Sequence, residues 1–260
     1  MNSGVNSSAS LQNPAARAGG TDSSQGAALV IGAGGGLGAA LAAQLTAASG
    51  ESEPCQHVMA LSRSSLPAID YGDEASLKAA AVWVSKECAS RQLDLRLLMV
   101  ASGYLHGDQG QPERSWAELD AAYLAHVFHI NAIGPALVMK HFLPLFPRQG
   151  RCVAAFVSAK VGSIGDNALG GWYGYRASKA ALNQLVKTAS IELTRKNRQS
   201  ICVALHPGTV DTGLSRPFAK TGLTVRPTDV AATELLAVLA GLPAAATGSF
   251  RDYQGNCLPW

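Results

Sequence analysis

Five glycines fall within the seven residues Gly32-Ala33-Gly34-Gly35-Gly36-Leu37-Gly38, and what flanks them limits the folds open to this chain. Before the turn, Ala27-Ala28-Leu29-Val30-Ile31 is a continuous apolar run of strand length. After it, Leu37 to Ala48 reads as a helix of small residues. A strand that enters a glycine turn and leaves as a helix can bring its backbone against a pyrophosphate, where a Cβ would intrude. It also points the positive end of the helix at that charge. Gly32, Gly35, Gly36, Leu37 and Gly38 are therefore the candidate phosphate-binding residues.

The same alternation recurs downstream. Apolar segments of strand length lie at His57 to Leu61, Leu95 to Val100, Cys152 to Val157 and Ile201 to Leu205. Helical stretches lie at Glu74 to Lys86, Trp116 to His129, Pro135 to Leu143, Lys179 to Arg195 and Thr228 to Leu239. Asp73 stands where a helix cap is wanted, Pro135 suits an opening turn, and Thr228 with Asp229 forms a capping segment. Strands alternating with helices predict an α/β fold: a Rossmann-like, doubly wound parallel sheet with helices on both faces, in a single domain spanning residues 27–260. Residues 1–26, rich in Ser, Asn, Gly and Ala, show no apolar periodicity and are expected to form a disordered tail.

The second strand ends in Ser62-Arg63-Ser64, at the edge where a sheet of this kind presents the adenosine ribose. An acidic residue there would bind both ribose hydroxyls and repel a 2′-phosphate. Arg63 instead can pair with that phosphate, with Ser62 and Ser64 as extra donors, which favours NADP over NAD. The alternative is a solvated surface cation. Asp70 can accept from the adenine amino group or serve as an ordinary turn aspartate.

Tyr175-Arg176-Ala177-Ser178-Lys179 opens a helical stretch and places a phenol and an ammonium one turn apart. A nearby cation is expected to lower the phenol's pKa toward the working range. With the glycine turn, Asn131, and Pro207-Gly208-Thr209-Val210-Asp211-Thr212 after a late strand, the chain from Ala27 to Trp260 resembles the short-chain dehydrogenases/reductases. Ile164-Gly165-Asp166-Asn167, Gly170-Gly171-Trp172-Tyr173, Leu205-His206-Pro207-Gly208 and Tyr253-Gln254-Gly255 resemble the C-factor and sniffer-like carbonyl reductase branch.

That resemblance implies hydride transfer between a nicotinamide and a carbonyl or alcohol carbon. Tyr175 would supply the proton, Lys179 would lower its pKa and hold the nicotinamide ribose, and Asn131 would fix a relay water. The structural alternative for Asn131 is a polar break that satisfies backbone groups before Gly134-Pro135. Pro207, Gly208, Val210 and Thr212 would close over the nicotinamide, and Ser102 and Gly103 stand where the family's cofactor-contacting Asn-Asn-Ala-Gly segment falls. The alternative function is a cofactor-binding signalling or regulatory protein with secondary catalysis.

The chain departs from the family pattern in several places. Ile31 replaces a threonine, and Arg63 to Asp70 is too short for a crossover helix, which leaves the adenine side open. Most consequential, the serine pair that ends the fifth strand in the family reads Ser158-Ala159. Strand alternation points Ser158 away unless the strand end is bulged, and Ser163 could reach the pocket from the turn. Both remain candidates.

The balance of 21 basic and 18 acidic residues, without a basic run, argues against nucleic acid. Five scattered cysteines with no C-x-x-C pair argue against a disulfide framework or metal site and for a reducing, cytoplasmic setting. His126 and His129 lack further ligands at metal-binding spacing and read as packing or solvated groups. Trp83, Trp116 and Trp172 read as core or pocket wall. No uninterrupted apolar stretch reaches membrane-span length, so no membrane partner is expected. Family likeness implies a homodimer or homotetramer.

Overall fold

A computed structural model describes residues 26–50, 55–218 and 224–260. The tail expected over residues 1–26 lies outside them except for Gly26, which opens the first strand.

In chain order the elements are β1 (Gly26–Ile31), α1 (Gly36–Ala47), β2 (Cys55–Leu61), α2 (Glu74–Ser90), β3 (Asp94–Val100), α3 (Ala121–Phe128), α4 (Gly134–Phe142), β4 (Cys152–Val157), α5 (Tyr173–Lys196), β5 (Ser200–His206), β6 (Thr209–Val210), β7 (Val225–Arg226), α6 (Thr228–Gly241) and β8 (Phe250–Asp252). Six strands form one sheet in the order β2-β1-β3-β4-β5-β8, every neighbouring pair parallel. This is the doubly wound sheet expected from the alternation. β6 and β7 form a separate two-stranded ribbon.

β1 and β4 are buried nearly throughout, as continuous apolar runs on both faces require. Leu29, Ile31, Leu98, Phe156 and Phe142 belong to one core layer, under α2, α4 and α5. Val30, Met99, Val203, Leu41 and Leu235 belong to the other, under α1 and α6. From β1 the chain crosses to β2 at one edge and returns through α2 to β3 on the far side of β1, so the crevice where ligands bind in such sheets opens beyond the carboxyl ends of β1 and β3. The short Arg63-to-Asp70 segment leaves β2 as an edge strand beside this crevice.

Local signals and structure agree at Asp73, whose carboxylate accepts from the Ala75 N–H at 3.0 Å and caps α2. They differ in four places. α3 and α4 are not separate helices but are joined by a π-helical turn over His129–Ile133. The joined stretch Ala121–Leu145 is the one helix among the described residues long and apolar enough to cross a membrane. Val127, Val138 and Phe142 are wholly buried on it, so its apolarity is explained by core packing. α5 begins at Tyr173, two residues before the helix opening read at Tyr175 and six before the periodic run from Lys179. Trp116, expected inside, is 77% exposed, because its short 3-10 turn leaves the body of the domain. Thr228 makes no side-chain cap; Pro227 holds that position.

Candidate active site

The carboxyl ends of β1, β3, β4 and β5 carry the turns on which most of the candidate residues stand. Gly32 has φ +91, a left-handed conformation costly for other residues, and a Cβ there would lie 2.7 Å from the Ser102 backbone nitrogen. A Cβ on Gly38 would lie 2.2 Å from the Gly32 carbonyl oxygen, so this glycine seats α1 against the turn. α1 has Gly35 at its N-cap and no side-chain cap, leaving first-turn N–H groups directed out of the helix end. Leu37 sends its side chain into the core and can offer only its backbone. Thr212 arches over the turn, its methyl 3.2 Å from where a Gly36 Cβ would be, and Val210 is buried in the ribbon that carries it. Gly208, at φ +77, turns the chain after Pro207 into that ribbon. This cradle has the shape and donors for a diphosphate, and a Cβ at Gly32 or Gly38 would destroy it.

At the β2 edge, Ser62 Oγ lies 3.2 Å from Ser64 Oγ, and Arg63 is exposed with no ion pair among the described residues. Asp70 Oδ1 accepts from the Gly72 N–H at 2.9 Å, the turn-aspartate geometry. Ser102 Oγ lies 2.7 Å from the hydroxyl of buried Tyr71, whose own pKa burial pushes up to about 12. Sequence spacing held no signal for Tyr71.

The catalytic candidates gather on the other side. Asn131 is fully buried in the π turn, and its amide is completely engaged. Oδ1 accepts from the Tyr104 N–H at 2.8 Å, and Nδ2 donates to the Tyr104 carbonyl at 2.8 Å and to Ser178 Oγ at 3.0 Å. Ser178 Oγ in turn donates to the Tyr175 carbonyl at 2.9 Å. Asn131 thus ties the loop after β3 to the first turns of α5, and the π turn widens the helix at that point. Its side chain satisfies the backbone of Tyr104, in the loop after β3, and not the groups before Gly134-Pro135. Gly103 faces Lys179 Nζ and Asn131 Oδ1; a Cβ there would meet them at 3.6 and 3.7 Å.

Tyr175 and Lys179 are both buried, at 7% and 2% exposure. Lys179 Nζ donates to the Val157 carbonyl at 3.0 Å and lies 5.9 Å from the Tyr175 ring centroid. Burial pushes the Lys179 ammonium down to about 8. The expected fall of the tyrosine pKa is corrected: burial raises it well above the ordinary phenol range, because desolvation penalises phenolate.

Neither serine candidate is left free. Ser158 Oγ donates to Asn183 Oδ1 at 2.7 Å, toward α5, and Ser163 Oγ donates to the Trp260 carbonyl at 3.3 Å while accepting from the Asp166 N–H at 3.1 Å. Trp172, in a left-handed conformation (φ 54), stands edge-on to Tyr175 at 6.2 Å and to Phe218 at 5.2 Å, and His106 meets Phe218 at 5.2 Å. These rings wall the tyrosine side of the crevice. His126 packs edge-on against Tyr104 at 4.5 Å.

Residues 26–222 match the family described as short chain dehydrogenase. Among curated proteins the chain is similar to "C-signal" of Myxococcus xanthus, 37% identical over 143 residues that span 55% of this chain and 82% of that one. It is also similar to "1-hydroxy-2-glutathionyl-2-methyl-3-butene dehydrogenase" of a Rhodococcus strain, 32% identical over 55% of this chain and 61% of that protein. Among solved structures, NADPH-bound carbonyl reductase from chicken fatty liver superposes with a TM-score of 0.76 at 25% identity, covering 91% of this chain and all of the other. Carbonyl reductase Sniffer of D. melanogaster shares the fold at a TM-score of 0.76 and 22% identity, with the same coverage.

Proposed function

The chain belongs to the short-chain dehydrogenase family, and from that premise we propose that it is an NADP-dependent oxidoreductase interconverting a small carbonyl compound and its alcohol. One observation carries the reading: the Ser102 backbone lies against Gly32 of the glycine cradle and the neighbouring Gly103 lies against Lys179 Nζ, so the uncapped helix end and the buried Tyr175-Lys179 pair flank one short segment after β3. When bound, the nicotinamide supplies or accepts the hydride. Gly32, Gly35, Gly36, Leu37 and Gly38 would present backbone to the diphosphate, and Pro207, Gly208, Val210 and Thr212 would close over the nicotinamide. The carbonyl reductase that carries NADPH and the free, exposed Arg63 both favour NADP.

Tyr175, its proton held by burial, donates that proton to the oxygen that gains negative charge, which suits the reductive direction. Lys179, an ammonium at neutral pH, orients the nicotinamide ribose and offsets charge on the phenolate left behind. Asn131 holds the Tyr104 loop and α5 in register. The test is NADPH oxidation with a panel of aldehydes, ketones and quinones. Tyr175→Phe is expected to lower kcat by about a thousandfold while leaving NADPH affinity within about twofold. Turnover undiminished by that substitution removes the phenol from its role.

A second reading, a regulatory protein with secondary catalysis, is favoured by Ala159 and by the engagement of both nearby serines, and the likeness to C-signal accords with it. It predicts slow turnover that Ala159→Ser raises by about tenfold or more, since one added donor to a developing oxyanion is worth at least that. No gain would count against a serine-shaped gap. The odd number and scattered spacing of the five cysteines support a reducing compartment such as the cytoplasm.

A further inference from the structure

Glu113 is 2% exposed, yet no cation pairs with it among the described residues. A buried carboxylate without a counter-charge is expensive unless hydrogen bonds and an oriented dipole hold it. Here both oxygens lie on the Gly174 N–H, at 3.2 and 3.1 Å, at the start of the 24-residue α5. The Glu113 backbone carbonyl accepts from the Trp172 N–H at 2.5 Å, and the Trp172 carbonyl accepts from the Arg176 N–H at 2.8 Å. The helix therefore has no side-chain cap from Trp172; its cap comes from a loop some sixty positions away, as the separation of 61 residues records. A Cβ at Gly174 would lie 3.0 Å from Glu113 Oε1 and 3.0 Å from Leu124 Cδ2, so a larger residue there must push the carboxylate or the leucine aside. The next residue is Tyr175.

We propose that Glu113 is a positioning residue for Tyr175: its carboxylate pins the first turn of α5, and with it the left-handed Trp172 wall, so that the phenol stays aimed into the crevice. The kinetic part rests on the oxidoreductase reading above; the structural part does not.

The test compares Glu113→Ala, Glu113→Gln and Gly174→Ala in the full chain, read by carbonyl-dependent NADPH oxidation, NADPH titration and hydrogen exchange of the segment 172–178. Glu113→Ala is expected to lower kcat more than tenfold with the NADPH Kd within twofold, and to speed exchange at 172–178 at least tenfold while 183–196 stays protected. Glu113→Gln keeps an acceptor oxygen and should restore both readouts to within threefold. Gly174→Ala, which crowds the carboxylate without removing it, should behave like Glu113→Ala. Unchanged exchange and kcat in Glu113→Ala overturn the proposal, as does a Gln variant no better than Ala. Loss of NADPH affinity in step with kcat also overturns it, since that marks general loosening. If Glu113→Ala does not fold, Gly174→Ala against Glu113→Gln decides by the same readouts. If the wild-type chain turns over no carbonyl, the functional reading fails and the exchange data still decide the positioning role.

Discussion

The two ends of the crevice are built by different means. At the tyrosine end, Asn131, Ser178 and Lys179 are buried and each polar group has a named partner, so position is enforced by packing and by hydrogen bonds that have no water to replace them. At the nucleotide edge, Ser62, Arg63 and Ser64 follow an edge strand; the Ser62 and Ser64 side chains bond to each other, and exposed Arg63 makes no ion pair among the described residues. A buried network can aim a proton to within a fraction of an ångström. An exposed cation can discriminate charge but tolerates imprecision. Substitutions at one end should therefore disturb stability and chemistry together, and at the other only cofactor preference.

The largest effect is expected from Asn131→Ala, which orphans the Tyr104 backbone and Ser178 inside the protein. It should cost about 3 kcal/mol and lower Tm by roughly 10 °C, measured by thermal unfolding. A shift of only a degree or two would erase the distinction between the ends.

The buried end also has an acid weakness. His206, at the end of β5, is pushed down to about 4 from 6.5, chiefly by burial and further by Lys160 and Arg226 against the opposing pull of Asp252. Above 6.5 the ring is neutral in folded and unfolded chains alike. Between that value and about 4 the unfolded chain binds a proton that the folded one refuses, so stability falls with pH by up to about 3 kcal/mol. Denaturant unfolding at pH 7 and pH 4 should show the loss, and His206→Leu should flatten that part of the profile. An unchanged slope in the variant would assign the acid sensitivity elsewhere.

The smallest effect on the fold, and the sharpest on the cofactor, belongs to Arg63→Ala. NADPH affinity should drop by roughly tenfold or more, with NADH affinity within twofold and Tm within about 1 °C. Equal losses for both cofactors would mean that Arg63 does not read the 2′-phosphate.

How much of this was legible in the chain depends on range. β4 is bounded by the residues the apolar run predicted, and the Gly32–Gly38 turn sits between strand and helix as read, because both are set by neighbours in sequence. β8 was missed: its three residues are too few to carry a period, and only pairing with β5 makes them a strand. The early start of α5 was missed for a related reason, since its cap, Glu113, is remote. Trp116 was misplaced because an aromatic side chain reads as interior wherever it falls.

Sequence alone determined the alternation of the first five strands with helices, the glycine turn, and the one-turn spacing of Tyr175 and Lys179, since each follows from local periodicity and backbone sterics. Tertiary structure alone decided the direction of the tyrosine's pKa shift, the partners of Ser158 and Ser163, and the clamp at Gly174. Those depend on desolvation and on contacts between segments far apart in the chain, and neither can be computed from neighbours along it.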